Sequence, residues 1–362
     1  MGCCQELLNN LRRPAWHALL RFRKEISQLE EVRKRSSIQE LLYRFRIRKA
    51  TDDRDMVYGL FVLMDEMLTE PDYSLDKTNV YKQIVLHSIG REKILSILEG
   101  QRTPLMEGPT WIYDWSSPMK SSLWYPEEMQ LQVNQLYSAS LVPNIRFFTC
   151  GDQKLSLDGI MLDKVSLLGT YPEFCKSELI PQSFGKYLND FLKIIGDWER
   201  NSKVASHPNS SKVDCKNSFW RTLIGDRYYE IPNGNTSASW RRARLEDVRQ
   251  FEEMEARTSC YQVLNETEKL EFNQCYDQIF IASAGRKFFL TEKGFMGCGN
   301  PQVGDEVWLL FGGRIPFVLR PNQDGSTFSM IGDCYLHGFM DGETMADAET
   351  KKRRVVLTRF VL

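Results

Sequence analysis

Few residues of this chain have the types and spacing that could do chemistry. Four histidines occur, His17, His87, His207 and His337, and His337 stands three residues after Cys334. A Cys–His pair can serve nucleophilic catalysis, with the imidazole drawing the thiol proton. On a strand, however, successive side chains alternate between faces, so residues three apart point to opposite sides. His337 is therefore read as a hydrogen-bonded structural residue, and Cys334 as a small apolar one. The run Asp52-Asp53-Arg54-Asp55 could hold a metal or move protons. The simpler reading is a helix start, where the dipole favours carboxylates and Arg54 pairs locally. Gly294-Phe295-Met296-Gly297-Cys298-Gly299 is glycine-rich, but it lies between strands with no helix start to hold a phosphate. It reads as a turn or bulge. Trp111 and Trp115 could stack a ligand, although buried aromatic packing is the stronger reading. Lys351-Lys352-Arg353-Arg354 reads as either a nuclear localisation patch or a solvated turn. No Gly-x-x-x-x-Gly-Lys-Ser/Thr loop, His-Glu-x-x-His or Gly-x-Ser-x-Gly elbow occurs. The nine cysteines are odd in number and lack a Cys-x-x-Cys, unlike a disulfide framework or a zinc site. The expectation is a protein with no catalytic residues, metal or cofactor.

The bulk properties agree with a folded, unspecialised chain. Its 362 residues suggest about two domains, and 42% hydrophobic with 26% charged residues is a globular composition. A formal net charge of -1 provides no global field for nucleic acid, so no such partner is expected. No stretch approaches the ~20 apolar residues of a membrane span, and the first residues lack the apolar core of a secretory signal. Met1-Gly2 with Cys3 and Cys4 invites a lipidation reading, but Glu6 stands where the motif wants Ser or Thr. A cytoplasmic protein is expected.

The elements that would position these residues follow from periodicity. Apolar positions from Trp16 to Leu29 recur at helical spacing. Ser37 and Glu40 form a capping box ahead of the stripe Ile38, Leu41, Leu42 and Phe45. A third helix is expected after Thr51, burying Met56, Val57, Leu60 and Met64. A fourth spans 78–89, and a fifth spans 91–99. Residues 108–118, rich in Trp and bounded by prolines, read as an irregular segment packed on the helices. Residues 153–168 read as a hairpin turning at Asp158-Gly159. The Ser-, Asn- and Lys-rich stretch 201–218 reads as an exposed linker or insertion, followed by helical periodicity over 240–256 and 267–283. The pattern then changes to period two. Four or five short strands alternate with turn clusters over 285–343, as in a small barrel or tight sheet. There the Gly312-Gly313-Arg314 turn, with Lys293, could line a ligand groove, with His337 near the barrel's end. The fold class is α+β, with a helical N-terminal part and a small β-barrel-like C-terminal module. The divisions are 1–118 helical, 119–200 mixed, 201–218 linker, 219–284 helical, 285–343 barrel-like, and 344–362 a tail with a strand.

Several segments together, in order along the chain, resemble fungal heterokaryon-incompatibility (HET) proteins in the region that follows their signature domain. Ala50-Thr51-Asp52-Asp53-Arg54-Asp55-Met56-Val57-Tyr58-Gly59-Leu60 is similar to that family's Ala-Thr-Asp-Pro-Arg-Asp-x-Val-Tyr-Ala-Leu step. Pro71-Asp72-Tyr73-Ser74 with Val80-Tyr81, and Pro109-Thr110-Trp111-Ile112-Tyr113-Asp114-Trp115-Ser116, resemble its next two. The C-terminal matches are dense: Gly285-Arg286-Lys287-Phe288-Phe289, Gly294-Phe295-Met296-Gly297, Gly304-Asp305, Pro316-Phe317-Val318-Leu319-Arg320, and Gly332-Asp333-Cys334-Tyr335-Leu336-His337-Gly338-Phe339-Met340-Asp341-Gly342-Glu343. The resemblance implies a non-enzymatic role in fungal self/non-self recognition, with a protein partner or an upstream signature domain. About fifty residues precede the Thr-Asp-Asp-Arg step, and none resembles the signature. The expectation is a regulatory or truncated relative, a fragment of a longer product, or an incomplete gene prediction. Death-inducing activity is not carried over, because its residues are absent.

Overall fold

The computed structural model describes residues 38–45, 48–64, 69–100, 108–117, 133–140, 145, 147–150, 153–169, 193–202, 212–230, 239–257, 278–279, 282, 285–345 and 352–358. The helix expected from Trp16, Ser37 of the capping box, Cys3, Cys4, His17, His207 and Lys351 lie outside these residues. So does most of the helix expected over 267–283. Among the described residues no helix is long and apolar enough to cross a membrane.

The N-terminal part is helical. Helix α1, Ile38–Arg44, buries Ile38, Leu41 and Leu42, the stripe its spacing predicts. The helix expected after Thr51 is one turn only: α2 is Asp55–Tyr58, followed by a 3-10 turn at Phe61–Leu63. Its β-branched and aromatic side chains and Gly59 are weak helix formers, yet Met56, Val57, Leu60 and Met64 are all buried as expected. Helix α3, Lys77–Glu92, starts at Asp76, whose carboxylate accepts the backbone N–H of Asn79, a side-chain N-cap. A separate helix over 91–99 does not form. Helix α3 absorbs Arg91 and Glu92, the left-handed Lys93 (φ 56) ends it, and Ser96–Leu98 is a 3-10 turn.

The sheet is larger than the barrel-like module expected over 285–343. It comprises β1 Phe147–Cys150, β2 Lys154–Leu168, β5 Lys287–Thr291, β6 Met296–Gly299, β7 Glu306–Leu310, β8 Phe317–Pro321, β9 Phe328–Asp333, β10 Tyr335–Leu336 and β11 Arg353–Thr358. Strand pairing runs β2-β11-β9-β8-β7 and returns from β7 to β2, closing a five-strand circuit. The closure is uneven. β11 and β9 are parallel and share two residue pairs, Leu357 with Phe328 and Thr358 with Ser329. Thr110 supports this joint, since its Oγ1 donates to Thr358 O at 2.6 Å and accepts from Met330 N at 2.8 Å. Thr110→Val keeps the shape and strips the hydroxyl from a site 1% exposed. It is expected to cost about 1–3 kcal/mol in urea denaturation, the penalty of orphaned buried polar groups.

Residues 153–168 are not a hairpin turning at Asp158-Gly159. They form one 15-residue strand, β2, that runs straight through that dipeptide. Gly159 is paired on both edges, with Leu310 of β7 and Arg353 of β11, so sheet pairing overrides the local turn preference. The hairpin lies one strand earlier, between β1 and β2. A Cβ at Gly159 would meet Leu309 O at 2.8 Å and Leu310 Cδ2 at 3.1 Å. Gly159→Ala is therefore expected to destabilise by about 1–3 kcal/mol, as overpacking does, read from the urea midpoint.

Two further expectations are corrected between the sheet's halves. Residues 212–218, within the expected linker, are the first part of helix α4, Lys212–Leu223. The expected all-helical span 219–284 instead holds a two-stranded ribbon, β3 Arg227–Glu230 with β4 Ser239–Arg242, before helix α5, Leu245–Arg257. The cross-strand pair Tyr229–Trp240, its rings tilted with centroids 4.8 Å apart, favours the ribbon. Side chains from all five strands of the circuit, among them Leu157, Leu310, Phe317, Met330 and Val355, share one core with the N-terminal helices. Ile160, Leu162, Val307, Leu309 and Val318 pack instead with Phe289 of β5 and Leu336 of β10. The chain is thus α+β, a helical N-terminal part joined through a common core to a sheet-rich C-terminal module.

Candidate functional site: a buried polar centre where helices meet sheet

The described residues that bear chemistry converge where the 3-10 turn before Gly100 meets the end of β9. Helix α1 fixes the turn from above: Gln39 Nε2 donates to Ser96 O at 2.5 Å, and Tyr43 OH to Glu99 O at 2.7 Å. Gly100 follows with φ 100, and a Cβ there would lie 2.7 Å from the Tyr43 hydroxyl, so only glycine fits. Its N–H donates to Asp333 Oδ2 at 2.9 Å. Asp333 Oδ1 accepts from Arg286 Nη2 at 2.6 Å, and both residues are buried. Asn134 Nδ2 donates to Glu99 Oε2 at 2.8 Å and lies 3.4 Å from Asp333 Oδ2. Burial pushes the Glu99 carboxyl up to about 7 despite the Asn134 hydrogen bond, because a desolvated carboxylate favours its neutral form.

Beside this network is a small cavity whose lining includes Asn134, Arg227, Arg286, Cys298, Cys334 and Met340. Burial raises the Cys298 thiol to about 11 and the Cys334 thiol higher still, so both are neutral and poorly nucleophilic near neutral pH. On the far side, Asp226 in a left-handed conformation (φ 50) accepts from Arg221 and Arg242. Arg242 forks onto Asp341 at 2.7 and 2.9 Å. Burial lowers the His337 pKa, and its Nδ1 lies 3.0 Å from the Tyr335 hydroxyl.

The residues first suspected of binding a ligand are placed apart. Lys293 sits in the β5–β6 turn, its N–H donating to Asp163 Oδ2 at 2.8 Å. Arg314 follows β7 at its other end, and its carbonyl accepts from Ala139. The five residues of β7 between those ends span on the order of 17 Å at about 3.4 Å per residue. His337 belongs to the Tyr335–Asp226 side.

The family-motif positions, by contrast, cluster. Arg54 binds Asp52 through Nε and Nη2 and donates through Nη1 to Tyr73 O at 2.6 Å and Leu75 O at 2.8 Å. Tyr73 OH donates to Asp55 Oδ1 at 2.7 Å. Lys77 bridges Asp53 at 2.8 Å and Asp114 at 3.7 Å. Trp115 packs edge-on against Tyr81, 4.9 Å between centroids, and Trp111 Nε1 donates to Gln153 O at 3.1 Å. Thr51 is exposed at the start of this segment. Three segments far apart in sequence are thereby locked together. In the sheet, Arg320 forks onto the buried Asp305 at 2.7 and 3.0 Å. Gly294, Gly304, Gly338 and Gly342 all have positive φ, while Gly332 lies 3.4 Å from Gly100 O by the Cβ it lacks. Pro316 O accepts the Cys334 N–H, and Glu343 Oε2 accepts the Asp341 N–H at 2.8 Å. Lys352 and Arg354 of the basic run pair with Asp158 at 3.6 and 2.9 Å. Among the described residues no three of His, Cys, Asp and Glu gather as a metal site would require.

Sequence reasoning did not single out Glu99, Asn134, Asp226, Arg227 or Arg242. Arg286 and Asp333 did fall within the quoted motifs, and that was the one signal pointing to the centre.

The span of residues 154–356 matches the family described as the Het-6 beta-barrel domain. It opens on the first residue of β2 and ends within β11, two residues short of that strand's end. The chain is also 26% identical over 347 residues to heterokaryon incompatibility protein 6, OR allele, of Neurospora crassa, covering 83% of this chain and 50% of that protein. It therefore spans about half the length of the curated relative it matches. No solved structure matches.

Proposed function

Because this chain belongs to the Het-6 beta-barrel domain family, we propose that it acts without catalysis in fungal self/non-self recognition, in the manner implied by its relative's name. The observation that carries this reading is the family match over residues 154–356, which takes in β2, β5 to β10 and the first part of β11. The barrel supplies the recognition surface, and the helical part, with its interlocked Asp52–Arg54–Tyr73 and Lys77–Asp114 contacts, holds it in a fixed setting. The protein works in the cytoplasm with a protein partner or a HET signature domain, in a regulatory role. The neutral, buried thiols of Cys298 and Cys334 support a non-catalytic reading.

The test is genetic and enzymatic together. The chain is expressed in a host fungus, which is paired with strains carrying different incompatibility alleles. Heterokaryon formation is expected to fail with some alleles and proceed with others. Normal fusion with every allele would contradict the proposal, as would turnover of NAD by purified protein that one point substitution abolishes.

A further inference from the structure

The joint between the helical part and the strand circuit carries an inference that does not rest on the incompatibility reading. Two buried acids, Glu99 at 1% and Asp333 at 4% exposed, meet there across one amide nitrogen. Asn134 Nδ2 donates to Glu99 Oε2 at 2.8 Å and lies 3.4 Å from Asp333 Oδ2. Asp333 has its own partners in Arg286 and the Gly100 N–H. The charged groups that face Glu99 are Asp333, which opposes its ionisation, and Arg314 of the β7–β8 turn, which favours it. Arg314 also faces Glu92 at the end of α3, where Glu40 of α1 and Arg91 stand too. Its charge is thus divided between two carboxyls. Ionising Glu99 adds a second negative charge beside Asp333 in a site that water does not reach, where like charges repel strongly. The same short turn carries the mechanical links of the joint. Ser96 O accepts from Gln39 and Glu99 O from Tyr43, both of α1, while the Gly100 N–H reaches Asp333 at the end of β9.

We propose that Glu99 is a proton-operated latch: neutral, it lets the turn 96–100 seat on β9, and ionised, it drives that turn off Asp333. A local event of this kind needs a charge change at a contact with two arrangements, and the turn supplies the contact. Burial holds the Glu99 carboxyl up at about 7, so the seated turn is favoured at low pH and loses its hold as pH rises toward and through 7. The setting of α1 and the turn on the strand circuit thereby answers to proton concentration near neutrality.

The test is amide hydrogen exchange of the full chain, read by mass spectrometry on peptides covering Leu95 to Gly100 and, for comparison, β7. Rates are corrected for the intrinsic pH dependence of exchange and measured with and without a sub-denaturing concentration of urea. In the wild type, protection of the turn is expected to fall about tenfold between pH 6 and pH 8, the linkage of one carboxyl released from such a site. The turn is expected to exchange faster than β7 and to respond less to urea, as a local opening does. In Glu99→Gln the fall is expected to vanish. Should that variant fail to fold, Arg314→Gln removes the cation that favours ionisation and is expected to steepen the fall. Protection that is independent of pH in the wild type overturns the proposal, as does a fall that persists in folded Glu99→Gln. An unsteepened fall in Arg314→Gln also overturns it. So does a turn that shares the urea response of β7, which would make the event global unfolding.

Discussion

Replacing Asp333 with alanine is expected to lower the unfolding free energy by about 3–5 kcal/mol, the scale of breaking a buried ion pair by removing one partner. The size follows from what Asp333 serves. Its carboxylate, in a residue 4% exposed, accepts from Arg286 at 2.6 Å and from the Gly100 N–H at 2.9 Å. Removing it leaves a buried guanidinium and a buried backbone donor without that acceptor. Urea denaturation of the full chain is the measurement. The pairing Arg286→Met with Asp333→Asn should cost clearly less than the sum of its single substitutions, because it removes the charges together and leaves an amide oxygen for Gly100. Additive costs would mean that Arg286 and Asp333 do not act as a pair.

Glu99 gives the second large effect, in the dependence on pH. Burial raises its carboxyl from an ordinary 4.5 to about 7, so the folded state holds this proton more tightly than the unfolded chain does. Stability from this group is therefore full below pH 4.5 and is lost as pH rises from there through 7. The displacement amounts to about 3 kcal/mol at 1.36 kcal/mol per tenfold change in proton affinity. Glu99→Gln keeps an oxygen for Asn134 and cannot ionise. Relative to the wild type it is expected to gain about 3 kcal/mol between pH 4 and pH 8, measured by urea titration at each pH. A constant difference across that range would show that Glu99 does not titrate in the folded protein.

What could be read in the sequence divides along physical lines. The faces of α1 and α3 were legible because 3.6-residue spacing places Ile38, Leu41, Leu42, Val80, Tyr81 and Ile84 on one side, and burial follows from that geometry. Turn glycines such as Gly294 and Gly304 were legible because positive φ selects glycine locally. β2 was misread because Asp158-Gly159 carries strong turn chemistry, and only the neighbours Leu310 and Arg353 keep it extended. The helix after Thr51 was overextended because a buried apolar stripe persists through its 3-10 continuation, which periodicity cannot separate from α-helix. The polar centre was illegible for another reason. Glu99 meets Asn134 from 35 residues away, and Gly100 meets Asp333 from 233 away, separations over which no local pattern exists. The placement of Lys293 and Arg314 was illegible for a similar reason, since loop positions say nothing of which end of β7 each occupies.

On the proposed reading, recognition resides in the domain that matches the family over residues 154–356. The most direct test is a chimera in which the corresponding segment of the Neurospora crassa relative is replaced by this one, with protein accumulation verified against both parents. The account predicts that the chimera adopts this chain's pattern of compatible and incompatible partner strains. A chimera that accumulates normally and keeps the recipient's pattern would contradict it.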